Sequence, residues 1–172
     1  LNISLRAISV STCGIVPRIR QLAGEGLPIT LSISLHAPND DIRRRIMPIA
    51  DRYPIGEMMA AVRDYVKQTG RRVVFEYALI DGLNSTPAHA RELAHLVAGM
   101  QCHVNLIPLN RVDERSLAPA SPRAVQTFLD TLEALHVSAT VRREMGADIA
   151  GACGQLRNQH LKEAQKADII NT

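Results

Sequence analysis

Apolar residues along this chain alternate between two spacings, one of period two and one near 3.6. The first period-two stretch predicts a short strand over 6–11. After Gly14, residues 15–23 repeat as one face of a helix, stopped by Gly24 and Gly26. Residues 28–35 alternate β-branched with small residues, as a strand does. Ala37-Pro38-Asn39-Asp40 breaks that strand, and Asn39 or Asp40 can cap a helix through Arg45. Ile55, Met58, Met59, Val62 and Val66 share a helical face over 55–68, and Gly70 ends it. Residues 72–80 form the clearest strand, followed by a turn at Asp81-Gly82-Leu83-Asn84. Thr86 caps a helix to Met100 with Pro87 in its first turn. A strand over 102–108 precedes a Pro-rich, charged loop. A helix opens at Ser121-Pro122, with Val125, Phe128, Leu129 and Leu132 on its core face, and a last strand covers 137–141. Beyond it lie a short Gly-rich segment over 148–156 and a polar helix through Lys166.

The alternation of strand and helix predicts an α/β fold with parallel strands and right-handed crossovers. Four or five strands are too few for a closed eight-stranded barrel. An open arc, or part of a barrel, fits the count. No internal repeat, low-complexity run or linker interrupts the pattern. The first strand is expected to leave an unpaired edge, through which copies of the chain would self-associate.

Composition narrows the class. Across 172 residues, 46% are hydrophobic and 22% charged, which excludes a disordered chain. Lys plus Arg is 20 against 17 Asp plus Glu, so the net charge of +3 permits an anionic partner without demanding one. No apolar run is long enough for a membrane span, and the N-terminus lacks the pattern of a signal peptide. The absence of an initiator Met suggests that the chain starts inside a longer protein. Three cysteines at wide spacing, Cys13, Cys102 and Cys153, argue against a disulfide framework and for a cytoplasmic setting. No two have the spacing of a metal motif. With no Trp, two Phe and three Tyr, an aromatic stacking platform for nucleic acid is not expected.

In a parallel α/β sheet, sites form where strands end at their C-terminal edge. The strand ends here carry Ser11-Thr12-Cys13-Gly14, then Ser34-Leu35-His36, then Asp81 and Asn84, then Pro108-Leu109-Asn110. Each residue has a plain alternative: Ser11, Ser34 and Asn110 as turn residues, His36 as a cap. Their convergence on one rim points instead to a ribose, an amino acid or an adenine edge. Cys153 lies between Gly151 and Gly154, downstream of Arg142 and Arg143 whose charge would favour the thiolate, or is a buried structural thiol. Cys102 reads as core, and Cys13 fits either reading. Arg43-Arg44-Arg45, Arg71-Arg72 and Arg142-Arg143 are solvated faces or RNA phosphate contacts.

Four segments stand together in one order: 8–17 (ISVSTCGIVP), 31–40 (LSISLHAPND), 105–110 (NLIPLN), and 146–149 (GADI) followed by 152–156 (ACGQL). In them the chain resembles radical S-adenosylmethionine (SAM) methyltransferases that methylate carbon 2 of an adenosine in 23S ribosomal RNA and in tRNA. A sister group methylates carbon 8. The resemblance runs over roughly residues 1–158 and implies the C-terminal part of a partial (β/α)6 barrel, with 159–172 as a polar helical tail. It implies SAM contacts at Ser11, Ser34, Leu35, His36 and Asn110, and a methyl-carrying Cys153. The family's CxxxCxxC motif for a 4Fe–4S cluster is absent from this chain, which by itself is expected to be inactive and to bind SAM weakly. A non-catalytic α/β module that binds a ligand or RNA at the same rim is the alternative.

Overall fold

The computed structural model describes residues 4–109 and 117–142. The chain divides into two compact units, Leu1–Arg142 and Arg143–Thr172. The second lies outside the described residues, as do Asn110 and Cys153 and the expected Gly-rich segment and C-terminal helix.

Five strands, β1 (Ser9–Thr12), β2 (Thr30–Ser34), β3 (Val73–Leu79), β4 (Cys102–Pro108) and β5 (Ala139–Val141), form one sheet in the order β1-β2-β3-β4-β5. Every neighbouring pair is parallel. The helices are α1 (Val16–Gly24), α2 (Asp40–Ile46), α3 (Ile55–Thr69), α4 (Pro87–Val97) and α5 (Pro122–Ala134). With strands in chain order and right-handed crossovers, all the connecting helices fall on one face of the sheet.

That face is the core. Leu31, Ile33, Val73, Phe75, Tyr77, Leu79, Val104 and Leu106 point into it and are buried, packed on Met58, Val62, Leu93, Phe128 and Leu132 from the helices. Along β3 the alternation is regular: Val73, Phe75, Tyr77 and Leu79 are buried, whereas Val74, Glu76 and Ala78 are half-buried on the opposite face. Period two in the sequence thus sorts residues between a helix-covered side and a side that no described helix covers.

The cap residues behave as their chemistry requires. Asn39 Oδ1 accepts from the Ile42 amide at 3.0 Å. Thr86 and His89 form a reciprocal capping box ahead of Pro87. Gly70 ends α3 with φ at 64°, a left-handed turn that suits glycine. Two boundaries differ most from the sequence expectation. The first strand does not begin at Arg6: the Ser4 side chain and carbonyl collect the amides of Arg6 and Ala7, so Leu5–Ala7 turn as a 3-10 helix and β1 starts at Ser9. The α4 helix stops at Val97 rather than Met100, because Ala98 leaves helical geometry and Gly99 takes φ at 70°.

Candidate cofactor-binding rim

The face that no described helix covers is mostly polar. Register places Ser11, Ser32, Val74 and His103 in one row, and Ser34, Glu76, Asn105 and Thr140 in the row above. Ser11 is exposed on the outer strand β1. Ser9 and Ser32 share a hydroxyl hydrogen bond of 3.1 Å. Side chains of this kind on a sheet face serve a polar ligand better than they serve a core.

At the end of β2 the chain is held by a dense set of contacts. Leu35 is fully buried in the core, its amide donating to the Glu76 carbonyl at 3.1 Å and its carbonyl accepting from Arg43. His36 carries φ at 56°, rare for a residue with a side chain. Three bonds hold it there. Its amide donates to the Glu76 carbonyl at 3.2 Å, its carbonyl accepts from Asn84 Nδ2 at 2.8 Å, and its ring Nδ1 accepts from the Ala78 amide at 3.0 Å. An Nδ1 that accepts leaves the proton on Nε2. Burial, and next the charge of Arg43, push the His36 pKa down to about 4. At neutral pH the ring is therefore a neutral imidazole with a defined Nε2–H donor.

Arg43 is the second fixture, and its fully buried side chain overturns the reading of 43–45 as one solvated or RNA-binding cluster. Its guanidinium donates to the Cys13 carbonyl at 2.8 Å, the Leu35 carbonyl at 3.2 Å, and the Ser34 and Tyr53 carbonyls at 3.4 Å each. A fork of fixed donors is suited to gathering several carbonyls, and here it ties the ends of β1 and β2 to the segment before α3. Gly14 is required beside it. At φ 96°, an added Cβ would lie 2.6 Å from Met58 Sδ and 3.1 Å from the guanidinium. Arg44, by contrast, sits outside near Asp41 and Asp51, at 3.7 and 3.8 Å.

Asn84, expected near the rim, is fully buried and spends its amide inward: Oδ1 accepts from the Ile80 amide at 2.7 Å, and Nδ2 donates to the His36 and Ala78 carbonyls. Cys102 packs against the core, and burial raises its thiol pKa to about 11 against the opposing charge of Arg72. Cys13 is half-buried. The structure therefore brings Ser11, Ser34, Leu35 and His36 to one end of two adjacent strands. It adds three groups that the sequence reading missed: Arg43, Glu76 and Asn105. A carboxylate in the middle of the apolar stretch of β3 was the available signal for Glu76.

No family model matches the chain. Over 166 residues it is 53% identical to a Clostridium tetani protein named a probable dual-specificity RNA methyltransferase RlmN, spanning 96% of this chain and 48% of that one. The chain is a relative of the RlmN RNA methyltransferases. A Symbiobacterium thermophilum protein of the same name is 54% identical over 160 residues, 92% of this chain and 43% of that protein. The crystal structure of a radical SAM methyltransferase from Sphaerobacter thermophilus matches with a TM-score of 0.86 at 51% identity, covering 90% of this chain and 45% of that one. A domain of a pyruvate-formate lyase-activating enzyme from Bacteroides vulgatus shares the fold alone, with a TM-score of 0.61 at 16% identity. The chain thus spans about half the length of the RlmN relatives it matches.

Two cofactors belong to a radical SAM enzyme, and the rim suits one of them. Hydroxyls at Ser11 and Ser34, a fixed imidazole N–H and a buried carboxylate oxygen with no partner among the described residues form a donor–acceptor set that fits a nucleoside carrying an amino acid. No group of three His, Cys, Asp or Glu side chains suited to a metal ion occurs among the described residues. An iron–sulfur cluster therefore has no ligand set there.

Proposed function

We propose that the chain is part of a cytoplasmic radical SAM RNA methyltransferase that acts on carbon 2 of an adenosine in 23S rRNA and in tRNA. The observation that carries this reading is the 53% identity to an RlmN-named protein across nearly the whole chain, supported by a sheet in which Ser11, Ser34 and His36 lie at the ends of adjacent strands. Electronics support a radical route: a ring carbon flanked by nitrogens is a poor nucleophile, so polar methyl transfer to it is disfavoured. When bound beside a reduced cluster held elsewhere in the protein, SAM supplies both a methyl group and a radical that removes a hydrogen atom.

The residues of this chain divide the remaining work. Ser11 and Ser34 offer hydroxyls to the cofactor's ribose or amino-acid end. The His36 Nε2–H donates without competing for a proton at neutral pH, because its ring is held neutral. Asn110, two positions beyond the end of β4 in the sequence, is assigned to the same cofactor by the family resemblance. Cys153 gives up its thiol proton and carries the methyl as a thioether, ready for attachment to the base. With the cluster site supplied by other residues, this chain alone binds SAM weakly and methylates nothing.

The deciding experiment replaces Cys153 with Ala in the full-length protein. Methylated adenosine should disappear while reductive cleavage of SAM persists, and mass spectrometry of the wild-type product places the methyl on carbon 2. A folded Cys153→Ala protein that methylates near the wild-type rate would refute the methyl-carrier role, and a carbon-8 product would assign the other specificity.

A further inference from the structure

One row of the polar face is wired in a single direction. Asn105 Nδ2 donates to Glu76 Oε1 at 3.1 Å. The Asn105 Oδ1 then faces Thr140 and accepts its hydroxyl proton at 3.2 Å. Having spent that proton, the Thr140 oxygen can only accept from His103, whose Nε2 lies 2.9 Å away. With its proton on Nε2, the ring accepts at Nδ1 from the Ser138 hydroxyl, 2.8 Å away. Burial, and then the charge of Arg72, lower the His103 pKa, in keeping with a neutral ring. The chain of donors runs Ser138, His103, Thr140, Asn105, Glu76, across three strands, and every one points toward the carboxylate. There it stops. Glu76 Oε2 is closed off from solvent and has no hydrogen-bond partner among the described residues.

An acceptor buried without a donor is costly, and native structures keep such atoms where a bound group satisfies them. Glu76 stands in register with Ser34, a residue of the rim assigned to the cofactor. We propose that Glu76 Oε2 is a recognition acceptor, taking a hydrogen bond from a hydroxyl or exocyclic amine of a nucleoside bound on this face. The idea rests on the functional reading above and extends it to a residue and an interaction. Two nucleosides could bring that donor: the SAM cofactor through its ribose, or the target adenosine through its amine. The wiring explains why the acceptor is a carboxylate held rigidly. Each donor in the row fixes the next, so Oε1 is committed and Oε2 alone remains for a ligand.

The test is equilibrium binding to the full-length, cluster-loaded protein, in the wild type and in Glu76→Gln. Glutamine keeps the shape and the bond from Asn105 but puts an N–H where Oε2 was. The ligands are SAM, SAM analogues lacking either ribose hydroxyl, and an RNA carrying adenosine or purine riboside at the target. Glu76→Gln should weaken one intact ligand about tenfold or more, as expected for a bond to a charged group. Deleting the matching donor from that ligand should cost the wild type as much, and cost Glu76→Gln nothing further. Loss with SAM assigns the cofactor as source, and loss with RNA assigns the target base. Binding of both intact ligands within twofold of wild type overturns the proposal. If Glu76→Gln does not fold, the wild type decides. A single donor deletion costing tenfold, with the same ligand weakened in Glu76→Asp, supports it, and no deletion costing more than twofold overturns it. Because binding is the readout, a wild type that binds both ligands without methylating RNA refutes the functional reading separately.

Discussion

The two faces of the sheet are made by the same strands and held by different physics. On the helix-covered face, Leu31, Ile33, Phe75, Tyr77 and Leu106 are almost entirely removed from solvent, and their contribution is the transfer of apolar surface out of water. It depends on volume and barely on direction. On the other face, Ser32 bonds Ser9, and Glu76, Asn105, Thr140 and His103 hold one another through oriented hydrogen bonds, each of modest net worth in folding. The first face supplies most of the folding energy, and the second presents the oriented groups that the proposed ligand would meet. Damage to one should leave the other's readout largely intact.

The largest effect should come from the apolar face. Phe75 is fully buried at the centre of the sheet, so Phe75→Ala should destabilise the chain by about 3–5 kcal/mol, the range for losing a core aromatic ring. A chemical denaturation curve measures it, and a loss under about 1 kcal/mol would mean that the centre of the sheet is not the core. The next effect lies at the junction of the two faces, at His36. Its pKa falls from 6.5 in the unfolded chain to about 4 in the fold. Between those values the unfolded chain binds the extra proton, so stability is complete above pH 6.5 and drains away as the pH falls toward 4. The full drop is roughly 3 kcal/mol, since each tenfold change in proton affinity is worth about 1.4 kcal/mol. Melts of the wild type and His36→Gln across that window should diverge. Parallel curves would show that the imidazole is not buried as described. The smallest effect should be at Ser9, exposed on β1, where Ser9→Ala removes one hydroxyl bond and should cost under about 1 kcal/mol. A larger loss would show that the polar face carries folding energy after all.

Much of this division is legible in the residue pattern alone. The period-two runs mark β2, β3 and β4, and the Ser-x-Ser spacing of 32 and 34 marks the polar side of β2. Asn39, Thr86 and Gly70 announce the helix ends that they make. What escapes depends on partners distant along the chain. Arg43 looks like the first of three surface arginines, and only the convergence of carbonyls from Cys13, Ser34, Leu35 and Tyr53 explains why it is inside. Asn84 reads as a turn residue and is one. Its second task, holding the His36 carbonyl 48 positions away, has no local mark. The directed row from Ser138 to Glu76 joins residues from three strands, and its order follows from register, which periodicity does not specify.

The strand order carries a consequence for how the molecule is made. Among the described residues each strand pairs only with its predecessor and successor in the chain, with helices inserted between them, so strand pairing needs no strand to wait for a distant one. A ribosome that releases β1 before β2, and β2 before β3, presents every new strand to a neighbour already waiting for it. The sheet can therefore lengthen during synthesis one strand–helix unit at a time, much as a repeat protein extends by nearest-neighbour docking. The His36 clamp closes only when the Asp81-Gly82-Leu83-Asn84 turn has emerged, which makes the rim a product of the third strand rather than the second.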